Sequence, residues 1–218
     1  MGLFHASWDA LRSVVAGLSD DDLLRPSGCR GWLVRDLVCH LIIDAQDVLI
    51  TLATPSHGTP TRNATTYWEI SGTPPSGDDP LDALTVRLAA AYQDSWLLKF
   101  HLDDVGSAAG RAARLADPLA RVGTKGEIIE VADYLDAYVV EWTLHHLDLI
   151  AHLPHVPGPP ADSLAASREG LGGIVGGAFP DSFSDVDALL VGTGRRAPTE
   201  AEAGALVRNR LSAPVSLG

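Results

Sequence analysis

Basic residues are scarce in this chain. Its 218 residues carry 16 Lys plus Arg against 28 Asp plus Glu, a formal net charge of −12, and lysine occurs only at Lys99 and Lys125. A protein that binds nucleic acid needs a basic footprint to displace counterions. No stripe of Lys or Arg is present, so neither nucleic acid nor an anionic membrane surface is expected as a partner. Long hydrophobic runs are missing as well. Asp, Glu or His interrupts every apolar stretch before the roughly 20 residues that a membrane span requires. The opening MGLFHASWDALRS lacks a basic segment followed by an apolar one, so no signal peptide is expected. Cysteine is limited to Cys29 and Cys39, too few for a disulfide framework, and a reducing cytoplasm is the expected location. Alternating runs of Val, Ile and Thr are few, which argues against an extensive sheet.

What is present is the composition of a globular chain, 46% hydrophobic and 20% charged, long enough for one filled core with a small appendage. The heavy use of Ala, Gly, Asp and Arg suits a high-GC bacterial genome. Phe4, Trp8, Leu11, Val15 and Leu18 recur at steps of three and four, which predicts a helix over 3–18. Ser19 and the acidic run after it suit a fresh N-cap, and residues 25–31 form a loop by their Pro and Gly content. A second stripe through Val34, Leu37, Val38, Leu41, Ala45 and Val48 predicts a helix over 32–53. Residues 54–80 are expected to be a long loop. Asp79 and Pro80 suit the start of a third helix over 80–100 that buries Leu81, Leu84, Leu88, Ala91 and Trp96. Residues 103–123, with glycines at 106, 110 and 123, are weakly patterned and suit a short hairpin or irregular crossover. Thr124 and Glu127 have capping-box spacing, which predicts a fourth helix over 125–152, apolar on two sides and hence central or at an interface. Prolines 154, 157, 159 and 160 end it, and shorter helical pieces follow near 161–177, 183–192 and 199–211. The expected fold is all-α: a four-helix bundle over 1–153 with a small C-terminal helical extension over 154–218.

Glu141 and His145 lie four apart on the strongest helix, so their side chains share one face. That spacing offers two ligands to one metal, and His40, at the edge of the second helix's apolar stripe, is the best third. Two His and one carboxylate suit zinc, with nickel or another divalent ion as alternatives, and leave positions for water or substrate. Asp148, Asp36 and Asp44 are candidates to support the imidazoles from behind. Plainer readings exist: a Glu-x-x-x-His pair is more often a solvated ion pair, and His146 lies nearer the middle of the helix stripe than His145, as a core histidine or as the ligand itself. His5, His57, His101, His152 and His155 are expected at the surface. Cys39 suits a buried apolar role. The turn Gly192-Thr193-Gly194-Arg195-Arg196 resembles an anion-binding turn but lacks the features of a phosphate loop. Arg35, Arg87 and Arg111 could steer an acidic substrate, although surface charge is the simpler role for each. No nucleophile motif appears.

The stretch from Arg25 to Leu41, with Cys29, Gly31-Trp32, Val34-Arg35-Asp36 and His40-Leu41, resembles the signature of the actinobacterial mycothiol-dependent maleylpyruvate isomerase N-terminal family, within the DinB-like superfamily. Glu141-x-x-x-His145-x-x-Asp148 resembles its second signature, and Trp8 and Leu11 also fit. The resemblance spans roughly residues 1–153. It implies a four-helix bundle holding a divalent metal on His40, Glu141 and His145, and it favours His145 over His146. It further implies a low-molecular-weight thiol, often mycothiol, as co-substrate for a small electrophile, with conjugation or thiol-assisted isomerisation as the outcome. The alternative is a non-catalytic metal- or ligand-binding bundle, and a homodimer is compatible with either.

Overall fold

The computed structural model of the chain describes residues 2–71, 80–211 and 213–217. Phe4, Trp8, Leu11 and Val15 are buried along one face of α1 (Gly2–Gly17), as their spacing requires. Ser19 caps the short α2 (Asp20–Leu23) in a reciprocal capping box with Asp22. The second stripe forms α3 (Val34–Leu52), with Leu37, Leu41, Ala45 and Val48 fully buried. After a long connection come β1 (Ile70–Ser71), α4 (Pro80–Ala91) and α5 (Ser95–Leu115). The expected cap at Asp79 lies outside the described residues.

The third helix expected over 80–100 is two helices. The first ends at Ala91, and Asp94, in extended conformation (φ −105°, ψ 122°), opens the next. Leu81, Leu84, Leu88 and Trp96, expected in the core, are 41–72% exposed, and α4 turns its small Thr85 and Ala89 inward instead. The helix also continues through residues expected to be irregular. In the second half of α5, after the buried Leu98 and Leu102, the inward stripe is Gly106, Ala109, Gly110 and Ala113, apolar by being small rather than bulky. The reason is close approach to α1. A Cβ on Gly106 would lie 2.7 Å from the Trp8 ring, and the Trp8 indole N–H donates to the Gly106 carbonyl at 2.9 Å.

The predicted capping box at Thr124 is a hairpin. Strands β2 (Arg121–Thr124) and β3 (Glu127–Glu130) pair antiparallel around Lys125 and Gly126, both at positive φ (49° and 79°), a two-residue turn whose twist suits the strands. The fourth bundle helix, α6, therefore starts later than expected, at Val131, and runs to Ile150.

Helices α1, α5, α3 and α6 close a ring in that order, each packing on the next, which is the four-helix bundle of a DinB-like fold. Trp142 stacks on Trp8 at 3.9 Å in its centre. Beyond the proline-rich break, α7 (Ala161–Val175), α8 (Asp185–Gly192) and α9 (Glu200–Arg208) follow close to the expected pieces, with the Thr199–Glu202 capping box in place. They form a second apolar cluster against Ala137, Val140, Leu144 and Leu147 of α6, while Trp142 and Leu149 face the bundle core. Helix α6 is thus buried on two sides, as its double apolar pattern predicts. Strand β4 (Ser216–Leu217) returns to pair with β1. Among the described residues, no helix is long and apolar enough to cross a membrane.

Candidate functional site

Helices α3 and α6 each present one imidazole and one carboxylate to the space between them. On α6, His145 Nε2 lies 3.0 Å from Glu141 Oε1; on α3, His40 Nε2 lies 3.3 Å from Asp44 Oδ2. Both pairs are four residues apart, so each spans one helical turn. The two rings meet edge to face at 4.9 Å, and Trp32, in the loop before α3, packs on His40 at 5.2 Å. One donor atom from each of His40, Asp44, Glu141 and His145 lies within 4.8 Å of all the others. The three ligands expected from the sequence are brought together, and Asp44, expected behind them, joins their front rank. The four side chains remain 10–26% exposed.

A second layer stands behind His145. Its Nδ1 lies 3.3 Å from Asp148 Oδ2, the supporting carboxylate expected there. Arg195, in the turn after α8, donates to both Asp148 oxygens, from Nε and Nη2 at 2.8 Å each. Cys29 Sγ reaches Asp148 Oδ2 at 3.4 Å, and the Gly28 N–H donates to the Asp148 carbonyl at 2.7 Å. The loop before α3 is therefore seated on α6. Gly28 is required by this contact, since a Cβ would fall 2.6 Å from Asp148 Oδ1. Asp36, also expected to support His40, does not do so. Its Oδ2 accepts from the Leu33 N–H at 2.8 Å and caps the start of α3.

The electrostatics follow from this packing. Burial, helped by His145, pushes the His40 pKa down to about 4, which keeps the ring neutral. Burial opposes charge on His145 too, but Glu141 and the hydrogen bonds the ring donates to Asp148, Cys29 and Glu141 outweigh it and raise its pKa well above the usual value. Burial would raise Asp148, yet the Arg195 guanidinium and His145 hold it well below the ordinary carboxylate range. Asp44 is raised by burial and by the nearby Glu141 carboxylate. Burial likewise pushes the Cys29 thiol up, which favours its protonated form.

These residues fit a divalent cation on two grounds. Asp44 Oδ2 is buried and makes no hydrogen bond, although it faces the cluster. In addition, His145 Nε2 and Glu141 Oε1 face each other at 3.0 Å beside a ring nitrogen of His40, a set of nitrogen and oxygen donors of the kind that divalent ions take.

Other candidates fall away from the site. His146 is 1% exposed and its Nε2 bonds the Pro157 carbonyl at 3.1 Å, so it is the core histidine of the pair. His57, His152 and His155 are exposed, as expected, but His5 and His101 are half-buried, bonded to the Gly110 carbonyl (3.0 Å) and the Tyr92 hydroxyl (2.5 Å). Cys39 is buried. Arg87 and Arg111 are exposed on α4 and α5, and Arg35 sits 3.6 Å from Asp36. In the turn over 192–196 the arginines hold carboxylates of this chain: Arg195 binds Asp148, and Arg196 binds Asp187 and Glu202. Sequence reading missed Arg195, because nothing local links it to a partner 47 residues away.

The family described as the mycothiol maleylpyruvate isomerase N-terminal domain matches residues 4–150. This chain belongs to that family. The match runs from α1 to the end of α6, so it contains His40, Asp44, Glu141, His145 and Asp148 and stops before Arg195. No curated protein and no solved structure matches the chain.

Proposed function

We propose that this protein is a metal-dependent thiol transferase or thiol-assisted isomerase that uses a low-molecular-weight thiol, mycothiol first among candidates, on a small electrophile in the cytoplasm. The observation that carries the reading is the convergence of His40, Asp44, Glu141 and His145 donor atoms within 4.8 Å, on side chains that stay 10–26% exposed. Membership of a mycothiol-related family supports the choice of thiol.

His40, Glu141 and His145 would hold a divalent ion, zinc by preference for this nitrogen and oxygen set, with Asp44 as a further donor in reach. Such an ion supplies Lewis acidity that favours the thiolate form of a co-substrate thiol. The residues of the chain do the positioning. His40 is kept neutral by burial, so its lone pair is available at neutral pH. Asp148 holds the proton of His145 on Nδ1 and leaves Nε2 facing the cluster. The thiolate sulfur then forms a bond to carbon and either displaces a leaving group with its electron pair or adds across an activated double bond. If the adduct rotates and expels the thiolate, the double bond re-forms in the other geometry; if it is protonated, conjugation is complete. No nucleophile from the protein is needed, in keeping with a protonated Cys29 and a buried Cys39.

The test is incubation of zinc-loaded protein with mycothiol and a panel of haloalkyl-bimane, epoxide and maleyl-type electrophiles. The expected result is accelerated adduct or isomer formation that is lost with chelator and with Glu141→Gln. Metal binding without acceleration for any thiol would overturn the enzyme and leave a metal-binding bundle.

A further inference from the structure

Arg195 lies outside the segment that carries the family match, yet it reaches the buried Asp148 near the end of α6. The turn that bears it is pinned on both sides. Gly194 takes a left-handed conformation (φ 73°), the Arg196 N–H closes back on the Leu190 carbonyl at 3.0 Å, and the Val215 N–H ties the C-terminal segment to the Gly192 carbonyl at 2.9 Å. This fixes the direction in which Arg195 leaves α8. Its guanidinium meets Asp148 in a two-point contact, Nε to Oδ1 and Nη2 to Oδ2, the geometry that holds a carboxylate in one plane. Asp148 is 2% exposed, and the same Oδ2 faces His145 Nδ1.

We propose that Arg195 is a positioning residue for the metal site: by clamping Asp148 it fixes the ring plane and tautomer of His145, so the C-terminal helices set the metal affinity of the bundle. This rests on the metal-site reading above. An aspartate free to rotate could turn its oxygens away to solvent, whereas the clamped one has a single orientation in which Oδ2 faces both His145 Nδ1 and Cys29 Sγ. Outer partners of metal-bound histidines affect affinity by about 10–100-fold when removed. The contrast is Arg196, the next residue, whose bonds run to Asp187 and Glu202 of the C-terminal segment and do not touch the site.

The experiment measures zinc affinity by competition with a chromophoric chelator, and the visible spectrum of the cobalt-substituted protein, for the full-length chain and for Arg195→Gln, Arg195→Lys and Arg196→Gln. Arg195→Gln is expected to weaken zinc about 10–100-fold and to alter the cobalt spectrum. Arg195→Lys keeps the charge without the two-point contact, is the milder change for folding, and should fall between. Arg196→Gln should bind as the parent does. If both Arg195 variants bind zinc as tightly as the parent with the same cobalt spectrum, Arg195 merely docks the C-terminal helices and the proposal is wrong, whatever happens to the melting temperature. If the parent itself binds no divalent ion, it is the metal-site reading that fails.

Discussion

The contact between α1 and α5 predicts opposite outcomes for two glycines one turn apart. Gly106→Ala places a Cβ 2.7 Å from the Trp8 ring and 3.0 Å from the Arg12 side chain. Arg12 can move, but Trp8 cannot yield easily: it is fully buried, stacks on Trp142 at 3.9 Å and bonds the Gly106 carbonyl itself. Overpacking of this kind costs about 1–3 kcal/mol, and straining the indole hydrogen bond adds about 1 kcal/mol. The better helix propensity of Ala returns about 1 kcal/mol. The net loss of about 1–3 kcal/mol corresponds to a fall in Tm of roughly 2–12 °C for a chain of this size. At Gly110 the nearest atom to a new Cβ is 3.8 Å away, an ordinary contact, so only the propensity acts and Gly110→Ala should be neutral or stabilise by up to about 1 kcal/mol. Thermal and urea unfolding by circular dichroism measure both. If Gly106→Ala is as stable as the parent, or Gly110→Ala is the worse of the two, the described packing of α5 on α1 is refuted.

Gly28→Ala should loosen the loop before α3 from α6. The backbone there is not left-handed, so the effect is steric, about 1–3 kcal/mol of overpacking against Asp148; an unchanged unfolding midpoint would contradict it. His146→Ala should destabilise the fold by about 1–3 kcal/mol, because it empties a buried site and leaves the Pro157 carbonyl unpaired, yet it should retain full metal content. Loss of metal in that variant would return His146 to the ligand set. Zinc at 100 times its dissociation constant should stabilise the chain by about 2.7 kcal/mol, and chelator should reverse the rise in Tm. A Tm indifferent to zinc would count against a site that exists only in the folded state.

The bulky stripes made much of this fold legible. Phe4, Trp8 and Leu11, or Leu37, Leu41 and Val48, could be buried together only on helices, and α1 and α3 appear within two residues of their expected ends. The second half of α5 was not legible because its inner face there, beyond Leu98 and Leu102, is Gly106, Ala109, Gly110 and Ala113. Such residues look like breakers in a pattern scored by bulk, and their purpose is visible only once Trp8 lies opposite. Thr124-Lys125-Gly126-Glu127 fits a capping box and a hairpin turn equally well, and pairing between Val122 and Ile129 decides it. At the site, the one-turn spacing of Glu141 and His145 could be read directly. The same spacing in His40 and Asp44 was also present, but one turn separates a fellow donor and a supporting carboxylate alike. Arg195 could be read only as part of an anion-binding-like turn, since the carboxylate it meets depends on how α8 packs beyond the bundle.

The central claim is that α3 and α6 together hold a divalent ion, and metal content of the purified protein tests it most directly. Inductively coupled plasma mass spectrometry after zinc loading and desalting should find stoichiometric metal in the parent and in His155→Ala, whose side chain is exposed and lies 3.4 Å from Asp22. His40→Ala, folded by circular dichroism, should retain almost none. A parent chain that holds no metal, or a His40→Ala chain that holds as much as the parent, would contradict the account.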